Sequence, residues 1–244
     1  MSFSRVSTLL CVLGVGFCSC ASSMRRDIMK RQSVLQRAAM HQLVSLPAFA
    51  PSLKIDLRYR TADNVSGRPL YPRDMPALLH AHTAERVKAA QAALQTRGYG
   101  LLIWDAWRPP EVQKQLYAHG GGTGLFLNPQ TGWSRHCGGV SVDATLVDRE
   151  GRALPMPTSF DENLQPSRHP PEIINPEAAH HVAVLHEVMR AVGLVPLPGE
   201  WWHFDDIDFI HCPVRVVWAH EVNLELPSSN PMGHTVVGSS ACCE

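Results

Sequence analysis

The succession of apolar patterns along this 244-residue chain predicts an α+β fold. Three observations carry the expectation. Val87, Ala90 and Leu94 recur at helical spacing and Gly98 follows as a stop, which predicts a helix over 83–97. Asn175-Pro176-Glu177 is a helix start with a cap, a fixed dihedral and an acidic first turn, and Ala178, Val182, Leu185, Met189 and Val192 then form one apolar stripe. Around these helices lie short runs that read as strands, over 100–107, 140–147 and 202–207.

Taken in order, residues 1–21 read as an export signal. Arg5 gives the positive start, 6–17 an apolar run too short to span a membrane comfortably, and Ser19-Cys20-Ala21 small residues for cleavage. Cys20 also resembles the acceptor of a bacterial lipoprotein signal, so the expected location is outside the cytoplasm, periplasmic or membrane-anchored. Residues 22–50 form a charged, helix-compatible lead-in, and Pro47–Pro51 marks the expected edge of a single domain over 51–226. Arg108 stands at the end of the strand over 100–107, where sites tend to form. Pro109-Pro110-Glu111 opens a further helix that stops at Gly120-Gly121-Gly122. The tail, 227–244, is rich in serine and glycine and is expected to be flexible.

Composition narrows the partners. With 22 basic and 22 acidic residues, the chain presents no net field to attract nucleic acid or an anionic surface, and a small polar substrate fits better. Of the seven cysteines, Cys137, Cys212, Cys242 and Cys243 lie beyond the signal, with no pairing legible from their spacing.

Two segments carry the chemistry, Ser134-Arg135-His136-Cys137-Gly138-Gly139-Val140-Ser141-Val142-Asp143 and Glu200-Trp201-Trp202-His203. A hydrolytic zinc site needs three protein ligands, one open position and a carboxylate to take a proton from water. His136, Asp143 and His203 suit the ligand roles, for one Zn2+ per chain, and Glu200 the base. Alternation along a strand over 140–147 sends Val140 and Val142 to a core and Ser141 and Asp143 to a cleft. Glu200 and His203 are an odd number of residues apart, so strict alternation would place them on opposite faces. Glu200 is therefore expected in the turn after Pro198-Gly199 and not in the strand.

These segments resemble the zinc D-alanyl-D-alanine dipeptidases, whose pattern Ser-x-His-x-x-Gly-x-Ala-x-Asp followed by Glu-x-Trp-His is met by Ser134, His136, Gly139, Asp143, Glu200, Trp202 and His203. Ser141 replaces the usual alanine, and because both are small the change is expected to matter little. The resemblance extends to Leu57 through Asn64, to Trp104-Asp105-Ala106-Trp107-Arg108-Pro109, and to Met156-Pro157-Thr158-Ser159-Phe160-Asp161, where Pro157 replaces a glycine.

With the short strands, the resemblance implies a small, mainly antiparallel sheet flanked by helices, with the zinc site in a central cleft. It implies that Arg108 stabilises the oxyanion, that Ser134 and Asp161 hold the substrate's terminal groups, and that the substrate is a small D,D-dipeptide of peptidoglycan metabolism. The rivals are a zinc D,D-carboxypeptidase acting on longer stem peptides and a non-catalytic wall-binding protein that keeps zinc for structure. Glu200 and Arg108 argue against the last, since a structural site closes its fourth position and needs no base.

Overall fold

A computed structural model describes residues 12–162 and 175–228. Residues 1–11 of the expected export signal and 229–244 of the tail, with Cys242 and Cys243, lie outside the described residues. The first half of the chain forms α1 (Val12–Met40), β1 (Leu43–Ser45), α2 (Leu46–Phe49), β2 (Lys54–Ile55), β3 (Leu78–His80), α3 (Ala81–Thr96), β4 (Gly100–Asp105) and α4 (Pro110–Gly120). The second half adds β5 (Ser141–Val147), α5 (Pro176–Ala191), β6 (Leu194–Leu197) and β7 (Glu200–Asp206).

The fold is α+β. Its main sheet has the order β2-β4-β5-β7-β6, antiparallel throughout except for the parallel pair β2 and β4, and β1 pairs with β3 in a separate antiparallel ribbon. Every residue of β5, the central strand, is buried. One face carries Val142, Ala144 and Leu146 into the core, while the other carries Ser141, Asp143 and Thr145. Helices α3 and α5 pack on each other and on the sheet, with the His186 ring of α5 5.6 Å from Phe204 of β7.

The helix starts follow their sequence signals. Asn175 caps α5 by accepting from the Glu177 N–H at 3.0 Å, with Pro176 in the first turn. Within α5, Ala178, Leu185 and Met189 are buried as the stripe predicts, and Val184, Val188 and His181 are buried as well. A helix packed between a sheet and another helix needs a face wider than one stripe.

The boundary expected at Pro47–Pro51 is not an edge of the core. Val34, Ala38, Leu43 and Leu46 of the lead-in belong to the same buried cluster as the sheet, and β1 pairs through Leu43 with His80. Charge on the exposed side of α1 masks this face in the sequence. Among the described residues, no helix is long and apolar enough to cross a membrane.

Candidate active site

The loop carrying His136 is built by local backbone chemistry. Residues Arg135–Gly138 form a 3-10 turn with Ser134 at its start, whose Oγ accepts from the His136 N–H at 3.4 Å. Gly139 then turns the chain into β5 with φ of 69°, and a Cβ there would stand 2.6 Å from Leu43 Cδ2. Only glycine meets both demands. The His80 N–H donates to Gly139 O at 2.8 Å, fastening this loop to β3.

Asp143 and His203 are register partners on β5 and β7, so both project from the same sheet face. His136 Nε2 lies 3.2 Å from Asp143 Oδ1 and 3.1 Å from His203 Nδ1, and His203 Nδ1 lies 3.0 Å from Asp143 Oδ1. The remaining ring nitrogens are used elsewhere. His136 Nδ1 donates to Ala106 O at 2.7 Å, and His203 Nε2 donates to Asp205 Oδ1 at 3.0 Å. With those outer bonds made, each imidazole can present its inner nitrogen as a lone pair to one point that the Asp143 carboxylate also faces.

That convergence suits a cation. Four ligands at zinc distances of roughly 2.0–2.1 Å stand about 3.3 Å apart in a tetrahedron, within a few tenths of an ångström of this triangle. The electrostatics agree. Burial alone would lower His203, but Asp143 and Asp205 outweigh it and carry it up to about 10. Burial would raise Asp143, but His136 and His203 outweigh it and hold it far below the usual carboxylate range. The site asks for positive charge, and the supporting bonds from Ala106 and Asp205 are of the kind that orient metal-binding imidazoles.

The same cavity, about 230 Å3, is lined by Arg108, Ser134, Asp161 and Glu200 together with the three convergent groups. Glu200 is the first residue of β7 and not part of the preceding turn, which corrects the expectation from strict alternation. A register shift is responsible: Pro196 pairs with Phe204 but Leu197 pairs with Glu200, so the bulge breaks the alternation and both Glu200 and His203 reach the cavity. Burial raises the Glu200 carboxyl, with His203 opposing.

Arg108 is buried, clamped by Nε to Asp105 Oδ2 at 2.7 Å and by Nη1 to Gln113 Oε1 at 2.9 Å, with Nη2 3.5 Å from Asp143 Oδ2. Its cation also sits 5.0 Å from the centre of the Tyr59 ring. Held on three sides, the guanidinium keeps N–H groups for a partner in the cavity.

Asp161, at φ of 62°, accepts from Tyr59 Oη through Oδ1 at 3.0 Å, while its buried Oδ2 has no partner among the described residues. Burial pushes this carboxyl up to about 7, Arg108 opposing. Its folded value lies above the unfolded one near 3.9, so the folded state binds the proton more tightly and stability falls as pH climbs from about 4 to about 7. Asp161→Asn is therefore expected to raise Tm at about pH 8 and to flatten that slope, measured by thermal unfolding across pH. An unchanged Tm at alkaline pH would contradict the strained carboxylate.

Sequence reasoning passed over two groups. Asp205 is two residues from His203 on the same face, a spacing that could have identified it. Ser141, expected to matter little, is buried and donates to Asp205 Oδ1 at 2.5 Å. The hydroxyl thus braces the carboxylate that orients His203, which alanine could not do. Cys137 is buried beside His136 and outside the triangle, its thiol pushed up to about 12 by burial. His82, Asp206 and Asp208 also approach one another, but Arg86 pairs with both aspartates at 3.1 and 2.7 Å and occupies that cluster.

A buried His-Asp-His triangle shares one small cavity with a second carboxylate, Glu200, and a clamped arginine, a donor set that could hold a single metal ion. The chain belongs to the peptidase M15 family, described as D-Ala-D-Ala dipeptidase, whose profile matches residues 39–216. That match includes the end of the lead-in found here in the core. The chain is 32% identical over 164 residues to the D-alanyl-D-alanine dipeptidase of Escherichia coli (strain K12), covering 67% of this chain and 84% of the relative. It is 27% identical over 168 residues to that of Enterococcus faecium, covering 61% and 83%. It is thus a peptidase of a metallopeptidase family.

Proposed function

We propose that this protein is a zinc-dependent dipeptidase that hydrolyses D-alanyl-D-alanine in peptidoglycan metabolism, with His136, Asp143 and His203 holding one zinc. The bound ion would polarise the scissile carbonyl and acidify the attacking water. Glu200 takes a proton from that water through its carboxylate, water oxygen joins the carbonyl carbon, and the negative charge that develops on the carbonyl oxygen faces the Arg108 guanidinium. When the C–N bond breaks, Glu200 returns the proton to the leaving nitrogen. Burial, which raises its affinity for a proton, brings Glu200 nearer the working pH for both transfers.

The observation that carries the reading is Asp161. A buried carboxylate oxygen without a partner, in a cavity smaller than the roughly 300–1,000 Å3 of drug-sized sites, suits a substrate whose ammonium lies close to its scissile bond. Ser134 at the cavity wall is suited to the substrate's other end. An N-blocked or longer peptide would bring an uncharged amide to Asp161 and leave the buried charge uncompensated. D-alanyl-D-alanine is therefore expected to exceed its N-acetyl form, and a pentapeptide with the same two terminal residues, by about a hundredfold or more in kcat/KM. Equal or faster cleavage of the blocked or longer substrate would promote the carboxypeptidase instead.

Export is part of the proposal. Arg5, the apolar run over 6–17 and the small residues around Cys20 support a mature protein outside the cytoplasm, periplasmic or lipid-anchored. Amino-terminal sequencing is expected to find a new start at or near Cys20 or Ser22. An intact Met1 would refute it.

A further inference from the structure

A second cavity, also of about 230 Å3, lies beside the first and is lined by Arg58, Asp63, Trp104, Thr145, Thr158 and Phe160 among others. Thr145 follows Asp143 by two residues on β5, so these lining residues of the two cavities project from the same sheet face about 7 Å apart along the strand. Phe160 divides them. Its ring packs 5.6 Å from Tyr59 and 5.9 Å from Trp202 on the active-site side, and 5.4 Å from Trp104 on the other.

This cavity is lined by two residues whose buried polar groups are unpaired among the described residues. Trp104 Nε1 and Thr145 Oγ1 have no hydrogen-bond partner there, although Trp104 is 5% exposed and Thr145 1%. An indole N–H can only donate, and a buried donor left unpaired is costly enough to call for an acceptor. A cation stands beside them, with the Arg58 guanidinium 4.9 Å over the Trp104 ring. At the rim, Arg58 Nη1 donates to Asp63 Oδ2 at 3.0 Å and its Nε lies 3.4 Å from Asp56 Oδ2, but these aspartate side chains are 82% and 49% exposed and both pairs are correspondingly weak.

We infer that this cavity is a second ligand site, for a small amino-acid-sized carboxylate. The carboxylate receives the Trp104 N–H, the Thr145 hydroxyl and the Arg58 fork, and the ligand's ammonium meets Asp63 at the rim. Polarity decides the orientation: the orphaned donors lie inside and the carboxylate of the protein lies outside. The assignment stands on this cavity alone and does not depend on the chemistry proposed for its neighbour. Because Phe160 precedes Asp161, a ligand seated here packs against the segment that carries the proposed ammonium partner of the active site.

The test is a titration of the zinc-loaded, 15N-labelled protein with sodium acetate and with D-alanine, following the indole N–H resonance of Trp104, identified by its loss in Trp104→Phe. A saturable shift is expected with both, in the millimolar range and tighter for D-alanine. Thr145→Val and Arg58→Gln should each weaken binding about tenfold or more, the scale of one hydrogen bond to a charged group. Thr145→Val keeps the side-chain volume, and an unchanged thermal unfolding transition shows that the variant is folded. Absence of a saturable shift with either probe would mean that the cavity holds only water and would overturn the site. Unchanged affinity in both variants would do the same, and acetate binding as tightly as D-alanine would remove Asp63 from it.

Discussion

Glu200→Gln is expected to keep its metal and its fold while losing turnover by about a thousandfold or more, within the range of general acid–base catalysis. The amide preserves the shape of the carboxylate at the start of β7 but cannot take a proton from water or return it to the leaving nitrogen. The contrast is His203→Ala, which removes one corner of a triangle with sides of 3.0–3.2 Å and leaves Asp143 and Asp205 without their shared imidazole. That variant should lose most of its zinc, measured by metal analysis after dialysis. The pair of variants separates base from ligand. Near-normal turnover in Glu200→Gln would eliminate the proton-transfer role, and full zinc occupancy in His203→Ala would eliminate the ligand set.

Arg108→Ala should lower kcat by roughly a hundredfold to a thousandfold, the scale of one oxyanion donor. It should also destabilise the protein, because among the described residues the fully buried Asp105 would keep the Tyr71 hydroxyl at 2.7 Å and only a distant approach of His136 Nδ1 at 3.7 Å once Arg108 is gone. Removing one partner of a buried ion pair costs about 3–5 kcal/mol. Arg108→Lys distinguishes the two effects. A lysine keeps the charge opposite Asp105 but cannot reach Asp105, Gln113 and the cavity together, so stability should recover further than kcat. Equal recovery of both, by unfolding and steady-state kinetics, would show that charge alone was at work.

What the sequence made legible was chemistry that depends on residue type and local spacing. The spacing of two histidines and an aspartate singled out three groups that the structure brings within 3.2 Å of one another, and alternation along β5 correctly turned Asp143 away from the apolar face of Val142. Features that depend on distant partners were hidden. Strict alternation misplaced Glu200 because the ladder steps from Pro196–Phe204 to Leu197–Glu200, leaving Trp201, Trp202 and His203 as extra residues on β7, an irregularity that exists only through the pairing with β6. Ser141 looked interchangeable with alanine because its value lies in a bond to Asp205, 64 residues further on. The lead-in looked detached because Val34 and Ala38 are spaced among charges, and their burial becomes visible only with the sheet in place.

The seating of Gly139 against Leu43 and His80 bears on the order in which the molecule acquires its chemistry. The loop that orients His136 is completed by contacts from a ribbon formed nearly a hundred residues earlier, and the third corner of the triangle arrives with β7, 60 residues after Asp143. Contacts of such sequence separation pay their loop-closure entropy before they return any stability, so they form late in folding. A partly folded chain would carry every residue of the centre and none of its geometry. On the proposed function, folding, metal capture and the onset of hydrolysis would be one event, and a nascent chain would be inert until both of its distant segments had met.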